Sequence, residues 1–299
     1  MVLCDEVTIS RKPIITILGA GMMGHGIAQI CIQNGYPVHL WGRAEAKLLE
    51  AKEKVKKNLI RLAGKKNTGM EPEGLAQIAE VQLANLHIFT EISAACEESS
   101  MVIEAVAENL ELKLELFETV QKTCPKNCLL ITNTSSLKLA QMIPVIQDPS
   151  LFAGLHFFNP VPVMKLVEVV STDETSEDTK TTLFEFCKEI GKLPVAAKDT
   201  AGFIVNRLLI PYLMDSIRML ERGDATKEDI DTAMRFGTSY PMGPIELCDY
   251  VGLDILQSTL KIFRESVPGD CRFAPSELMD KLVAEGKLGR KTKQGFYTY

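Results

Sequence analysis

The chain has 299 residues, 46% of them hydrophobic and 24% charged, enough for two domains of ordinary size with ample core. A formal net charge of -6 argues against nucleic acid as the main partner, and no apolar run reaches the length of a membrane span. Eight scattered cysteines, of which only Cys124 and Cys128 lie close together, predict a reducing compartment and no metal site.

The head, residues 1–12, carries Asp5 and Glu6 and has neither an Arg-rich amphipathic pattern nor a signal-peptide core. Residues 14–18 form a β-rich run that ends at Gly19-Ala20-Gly21-Met22-Met23-Gly24. A helical pattern follows, with Ile27, Ile30 and Cys31 on one face, then a stop at Gly35 and a second strand over 38–41. Strand, GxGxxG, helix and strand in this order predict a dinucleotide-binding turn. Gly19 permits the tight turn, Gly21 lets a pyrophosphate approach the backbone, and Gly24 lets the helix pack close. His25, at the start of the helix, reads as packing or solvent-facing.

In such folds an acid closes the second strand and grips the ribose 2′-hydroxyl. Here the strand ends in Trp41-Gly42-Arg43, which leaves room and offers a positive charge. The local chemistry leans towards tolerating a 2′-phosphate; Glu45 substitutes for the acid if the turn is longer, and Arg43 discriminates nothing if it lies over the adenine. Residues 46–66 read as a strongly basic helix: eight Lys or Arg, including Lys65 and Lys66, stand against Glu50 and Glu53. That excess suits a polyanionic ligand, although most single lysines read as a solvated face. A second helix around 75–80 completes a hairpin before a strand over 86–90.

Alternation resumes with a strand over 101–107, a helix over 110–122 and a strand over 128–131. Ligands in doubly wound sheets bind outside the carboxyl ends of the strands, where Glu108, Asn133 and Ser135 fall. The Ser–Thr cluster after that strand is also an ordinary helix cap. A helix over 137–146 is expected next.

The stretch LHFFNPVPVMKLVEVV, residues 155–170, carries the chemistry. Glu168 is the only charge in an otherwise buried-type strand, a costly position unless something pairs with it. If the runs on either side of Asn159-Pro160-Val161-Pro162 fold back antiparallel about Pro162, His156 and Glu168 face each other. Facing Cβ atoms are roughly 5 Å apart, within reach of a carboxylate–imidazole hydrogen bond. Such a carboxylate fixes the tautomer and supports the other ring nitrogen as a general base. The competing reading is a satisfied core histidine beside an unrelated acid.

After a charged helix over 176–189, residues 191–195 read as the final strand and Lys198-Asp199-Thr200 as the linker. Beyond it the pattern is helical: 203–221 with a kink at Pro211, a stop at Gly223, a capping box from Thr226, and helical pieces punctuated by Pro241-Met242-Gly243-Pro244. The reading is an α/β domain over 1–200, with the basic hairpin inserted at about 44–80, and an all-α domain over 201–299.

GAGMMGHGIAQ, NTSSL, GLHFFNPVPVMKLVEVV, KDTAGFIVNRLL, GDATKEDIDTAM, YPMGPIELCDYVGLD and GKLGRKTKQGFYTY together resemble the L-3-hydroxyacyl-CoA dehydrogenase family, over essentially the whole chain from Ile14. The resemblance implies a Rossmann-like doubly wound sheet followed by a helical substrate and dimerisation domain. It implies reversible oxidation of an (S)-3-hydroxyacyl-CoA by a nicotinamide cofactor, as in fatty-acid β-oxidation. His156 and Glu168 match the catalytic pair, with Ser135 and Asn206 as polar partners of the substrate. Met22 and Met23 in the glycine loop, with Glu108, Lys113 and Asn133, match the cofactor side. Lys65 and Lys66 lie in the basic segment that resembles the part meeting the CoA tail. Gly42-Arg43 replaces the family's usual aspartate, so the expected cofactor is NAD with NADP left open. A homodimer in the mitochondrial matrix follows from the resemblance, or a cytoplasmic protein if the short head is complete. The rival readings are a reductive 3-hydroxybutyryl-CoA dehydrogenase using NADPH, a non-catalytic protein on the same scaffold, and a 3-hydroxy-acid dehydrogenase with a catalytic lysine where Asn206 stands.

Overall fold

The computed structural model describes residues 12–299; the reading of the head, with Cys4, lies outside the described residues. The chain forms two compact units. One runs through Thr134 and resumes over Lys138–Asp199, and the other joins Ser135–Leu137 to Thr200–Tyr299.

In the first unit, β1 (Ile15–Leu18) leads through the glycine turn to α1 (Met22–Gln33) and β2 (Val38–Trp41). The basic hairpin is α2 (Glu45–Lys66) and α3 (Pro72–Leu83), whose buried positions recur at helical spacing: Leu48, Ala51, Val55, Leu59 and Ala63. Next come β3 (Leu86–Phe89), a short α4 (Ile92–Cys96), β4 (Met101–Glu104), α5 (Leu110–Val120) and β5 (Leu129–Thr132). Then follow β6 (Phe152–Phe157), β7 (Leu166–Ser171), α6 (Glu177–Glu189) and β8 (Leu193–Lys198).

The eight strands form one sheet in the order β3-β2-β1-β4-β5-β6-β7-β8. All neighbours are parallel except β6 and β7. β1, β4 and β5 are buried at every position, as strands covered on both faces require. Pro194 lies in β8, at the sheet edge, where its missing N–H breaks no ladder.

Two expectations need correction. Residues 137–146 are not an α-helix but two 3₁₀ turns, Leu139–Gln141 and Ile143–Val145. Pro144 is the cause, since it has no N–H to donate and its ring clashes with a preceding helical turn. The amides of Leu139 and Ala140 are instead taken by the Asp199 carboxylate at 2.7 and 2.8 Å, so the residue read as linker clamps this turn. The last strand also runs further than 191–195, to Lys198.

The second unit packs α7 (Val205–Glu221), α8 (Lys227–Gly237), α9 (Pro244–Val251), α10 (Leu253–Ser266) and α11 (Glu277–Ala284) around Leu213, Met214, Ile217, Leu256 and Phe263. α7 begins after Phe203, whose φ of 51° lies outside the helical region. Thr226 caps α8 by accepting from the Asp229 amide at 3.1 Å. The C-terminal segment is held by Asp249, which accepts from the amides of Phe296 (2.9 Å) and Tyr297 (2.8 Å).

Candidate active site

The glycine turn has the shape that a dinucleotide needs. Gly19 has φ 119°, and a Cβ there would lie 2.5 Å from the carbonyl oxygen of Ala105; a Cβ at Gly24 would lie 1.7 Å from that of Gly19. These two glycines bring the start of α1 against the ends of β1 and β4. The space that a Cβ would take at Gly21 is open. A cavity of about 540 Å³ lies over this turn, lined among others by Gly19, Gly21, Met22, Met23 and Arg43. The arrangement fits a bound dinucleotide, with α1 presenting unpaired amides to its phosphates. His25 is tied to the turn through Nδ1, 2.7 Å from the Gly21 carbonyl, and burial pushes its pKa down.

Glu108 and Lys113 belong to a buried ionic network beside this cavity. The Lys113 ammonium, 1% exposed, reaches both oxygens of Glu104 at 2.7 and 2.8 Å and Glu108 at 3.2 Å. Glu104, fully buried at the end of β4, also accepts from the Val106 amide (2.7 Å) and the Thr132 hydroxyl (2.8 Å). Thr134 donates to Glu108 at 2.5 Å. Lys113 therefore holds the loop that follows β4, and residues 105–107 of that loop line the cavity. Glu104 was not singled out by sequence, yet the signal was present. It stands in Met-Val-Ile-Glu-Ala-Val, an apolar run with one charge, like Glu168.

The His156–Glu168 pair arises from strand register. β6 and β7 pair antiparallel with His156 opposite Glu168. His156 is 6% exposed and Glu168 fully buried, and Nδ1 lies 2.6 Å from Oε2. A carboxylate can only accept, so the neutral ring donates from Nδ1 and its lone pair sits at Nε2. The ring is packed against Phe158 at 4.4 Å between centroids. Asn133, at the end of β5, accepts the Phe157 amide at 2.9 Å and so ties the strand end next to His156. Lys192, also missed by sequence, is 6% exposed and donates to the carbonyls of Val161 and Met164, pinning the turn between β6 and β7.

In the second unit, the Asn206 amide donates to the Ser135 carbonyl at 3.1 Å. Lys65 and Lys66 are exposed in the last turn of α2, where the helix dipole favours cations. Elsewhere on the basic face, Lys47, Lys54 and Lys57 pair with Glu50 and Glu53, and Lys56 with Glu80. The cysteines from Cys31 onward are all free thiols, and among the described residues no helix is long and apolar enough to cross a membrane.

Comparison with known proteins gives the same reading over the whole described chain. The family model for the 3-hydroxyacyl-CoA dehydrogenase NAD binding domain matches residues 14–200, and that for the 3-hydroxyacyl-CoA dehydrogenase C-terminal domain matches 202–299. The chain is 47% identical to the mitochondrial hydroxyacyl-coenzyme A dehydrogenase of Rattus norvegicus over 285 residues, covering 95% of this chain and 90% of that protein. It is 36% identical to a 3-hydroxybutyryl-CoA dehydrogenase of Clostridioides difficile, covering 95% and 99%. Among solved structures, (S)-3-hydroxybutyryl-CoA dehydrogenase from Ralstonia eutropha superimposes with TM-score 0.89 at 34% identity, covering 96% of this chain and 99% of that one. With both domains matched end to end and the His–Glu pair in register beside a glycine-turn NAD domain, the chain belongs to the 3-hydroxyacyl-CoA dehydrogenase family.

Proposed function

We propose that the chain is an NAD-dependent (S)-3-hydroxyacyl-CoA dehydrogenase, interconverting the 3-hydroxyacyl and 3-ketoacyl thioesters. The observation that carries the mechanism is the 2.6 Å contact between His156 Nδ1 and Glu168. NAD, when bound, supplies the hydride acceptor. In oxidation, His156 Nε2 takes the proton of the 3-hydroxyl while Glu168 holds the opposite nitrogen and stabilises the imidazolium. In reduction the imidazolium returns that proton to the 3-keto oxygen. Ser135 and Asn206 serve as polar partners of the reacting oxygen or the thioester carbonyl. Asn133, Glu108 and Lys113 serve the cofactor side, the last by holding the loop over which the dinucleotide lies. Lys65 and Lys66 meet the anionic CoA moiety, as charge-assisted contacts to phosphate would.

The working form is a homodimer, an assignment supported by apolar side chains left outside in the helical unit, with Leu208 69% and Phe236 79% exposed. The compartment is the mitochondrial matrix, supported by the relatives named mitochondrial. The test is the loss of absorbance of NADH with acetoacetyl-CoA, set beside free acetoacetate. Turnover of the thioester with a histidine-dependent rate is expected. Equal turnover of the free acid, or none of the thioester, would overturn the assignment.

A further inference from the structure

The adenosine end of the dinucleotide cavity carries positive charge and lacks an acid. Among its described lining residues are Arg43 and Lys47 and no carboxylate. Glu45, the acid that a longer turn would bring in, opens α2 but does not line the cavity. Gly42 is buried, and a Cβ there would meet Leu48 at 3.3 Å and Ala20 at 3.6 Å. Leu48 is fully buried in the core, so a side chain at position 42 would need it to give by a few tenths of an ångström. An acid at the strand end cannot be restored without moving Leu48.

Arg43 is exposed and, among the described residues, makes no ion pair, so its guanidinium has no competing carboxylate. Lys47 is paired with Glu50 at 3.0 Å, but both side chains are exposed, and such pairs are weak. Glu50 is also held by Lys54 at 2.8 Å, so it keeps a cation when Lys47 turns away. The start of α2 has no side-chain cap, which leaves its first amides as further donors for an anion at this corner.

We infer that this cavity also accepts NADP(H), with Arg43 and Lys47 gripping the 2′-phosphate. The inference rests on the reading of the chain as a nicotinamide-dependent dehydrogenase and extends it from NAD to the phosphorylated cofactor. An acid at this position rejects a 2′-phosphate by like charge, whereas a neighbouring Arg receives it.

The test is a titration of the native protein with NADH and with NADPH, followed by nicotinamide fluorescence, and repeated for Arg43→Gln and Lys47→Met. A hydrogen bond to a charged group contributes roughly 1.5–3 kcal/mol, so Arg43→Gln should weaken NADPH by about tenfold or more relative to NADH. Lys47→Met should give a smaller loss in the same direction. On the native protein, adenosine 2′,5′-bisphosphate should displace NADH better than adenosine 5′-monophosphate, a readout independent of any variant. Equal losses for the two cofactors, or NADPH that does not bind while NADH does, would overturn the inference and leave the dehydrogenase reading intact. Failure to bind either cofactor would overturn both.

Discussion

Glu168→Gln isolates the charge of the carboxylate proposed to support His156 from its shape. Glutamine is isosteric, and its carbonyl oxygen can still accept from His156 Nδ1 across the 2.6 Å contact, so orientation is kept and the negative charge is lost. Taking a separation of about 5 Å between charge centres and an effective dielectric of about 20, that charge stabilises the imidazolium by about 3 kcal/mol. At about 1.4 kcal/mol per decade, kcat for oxidation should fall slightly more than a hundredfold. Glu168 is fully buried, so solvent offers little compensation. The assay is steady-state formation of NADH from (S)-3-hydroxybutyryl-CoA across pH, with NADH affinity and thermal melting as controls. The pH profile of kcat should be displaced as well as lowered. A kcat within about threefold of the native value, with an unchanged profile, would show that the pair is a packing feature rather than a base with its partner.

Lys192→Met should free the carbonyls of Val161 and Met164 and loosen the turn that joins the strands carrying His156 and Glu168. The expected signature is a kcat lowered by about tenfold with NADH affinity little changed, as for a small misplacement away from the chemistry; titration and turnover on one preparation check it. Asp249→Ala should strand the buried amide of Phe296 and the half-buried amide of Tyr297 and cost about 3 kcal/mol, read as a lowered urea midpoint. Glu189 is held below its ordinary 4.5 by the Tyr36 hydroxyl and then by Lys12. A depressed carboxyl stabilises the fold above its unfolded pKa and ceases to do so as pH falls through the folded value. Glu189→Gln should therefore flatten the fall in stability below about pH 4.5, and acid titration of the melting temperature reads it.

The parts of this molecule that were legible from sequence are those that local rules fix. Strand and helix order followed from apolar spacing, and the pairing of His156 with Glu168 followed from the symmetry of the residues around Pro162. Where a tertiary contact decides, sequence reasoning failed or stopped short. Residues 137–146 have helical composition, but Pro144 and the distant Asp199 carboxylate select two tight turns. The resemblance places Lys113 on the cofactor side but gives no hint of the partners between which its ammonium is sunk, Glu104 and Glu108, supplied by a strand end and a loop. Lys192 reads only as part of the final strand, because the carbonyls it serves lie 28 and 31 residues away.

One topological choice explains why His156 and the glycine turn come together. β1, β4, β5 and β6 are parallel, so Leu18, Glu104, Thr132 and Phe157 all end at the same edge of the sheet. That edge carries the glycine turn after β1 and the cavity-lining loop after β4. A further parallel strand would need a crossover of a dozen or more residues before it could return a partner to His156. The chain instead reverses directly into β7, the one antiparallel step in the sheet, so Glu168 enters from the edge where His156 leaves. Because side chains alternate along a strand, a slip of one residue in that register would turn the carboxylate to the opposite face. The turn is therefore clamped rather than loose: Lys192 holds its carbonyls, and Gly26 of α1 leaves room for Val161, where a Cβ would come within 2.9 Å. The helix that begins at the dinucleotide turn thus packs on the segment that sets the His156–Glu168 register.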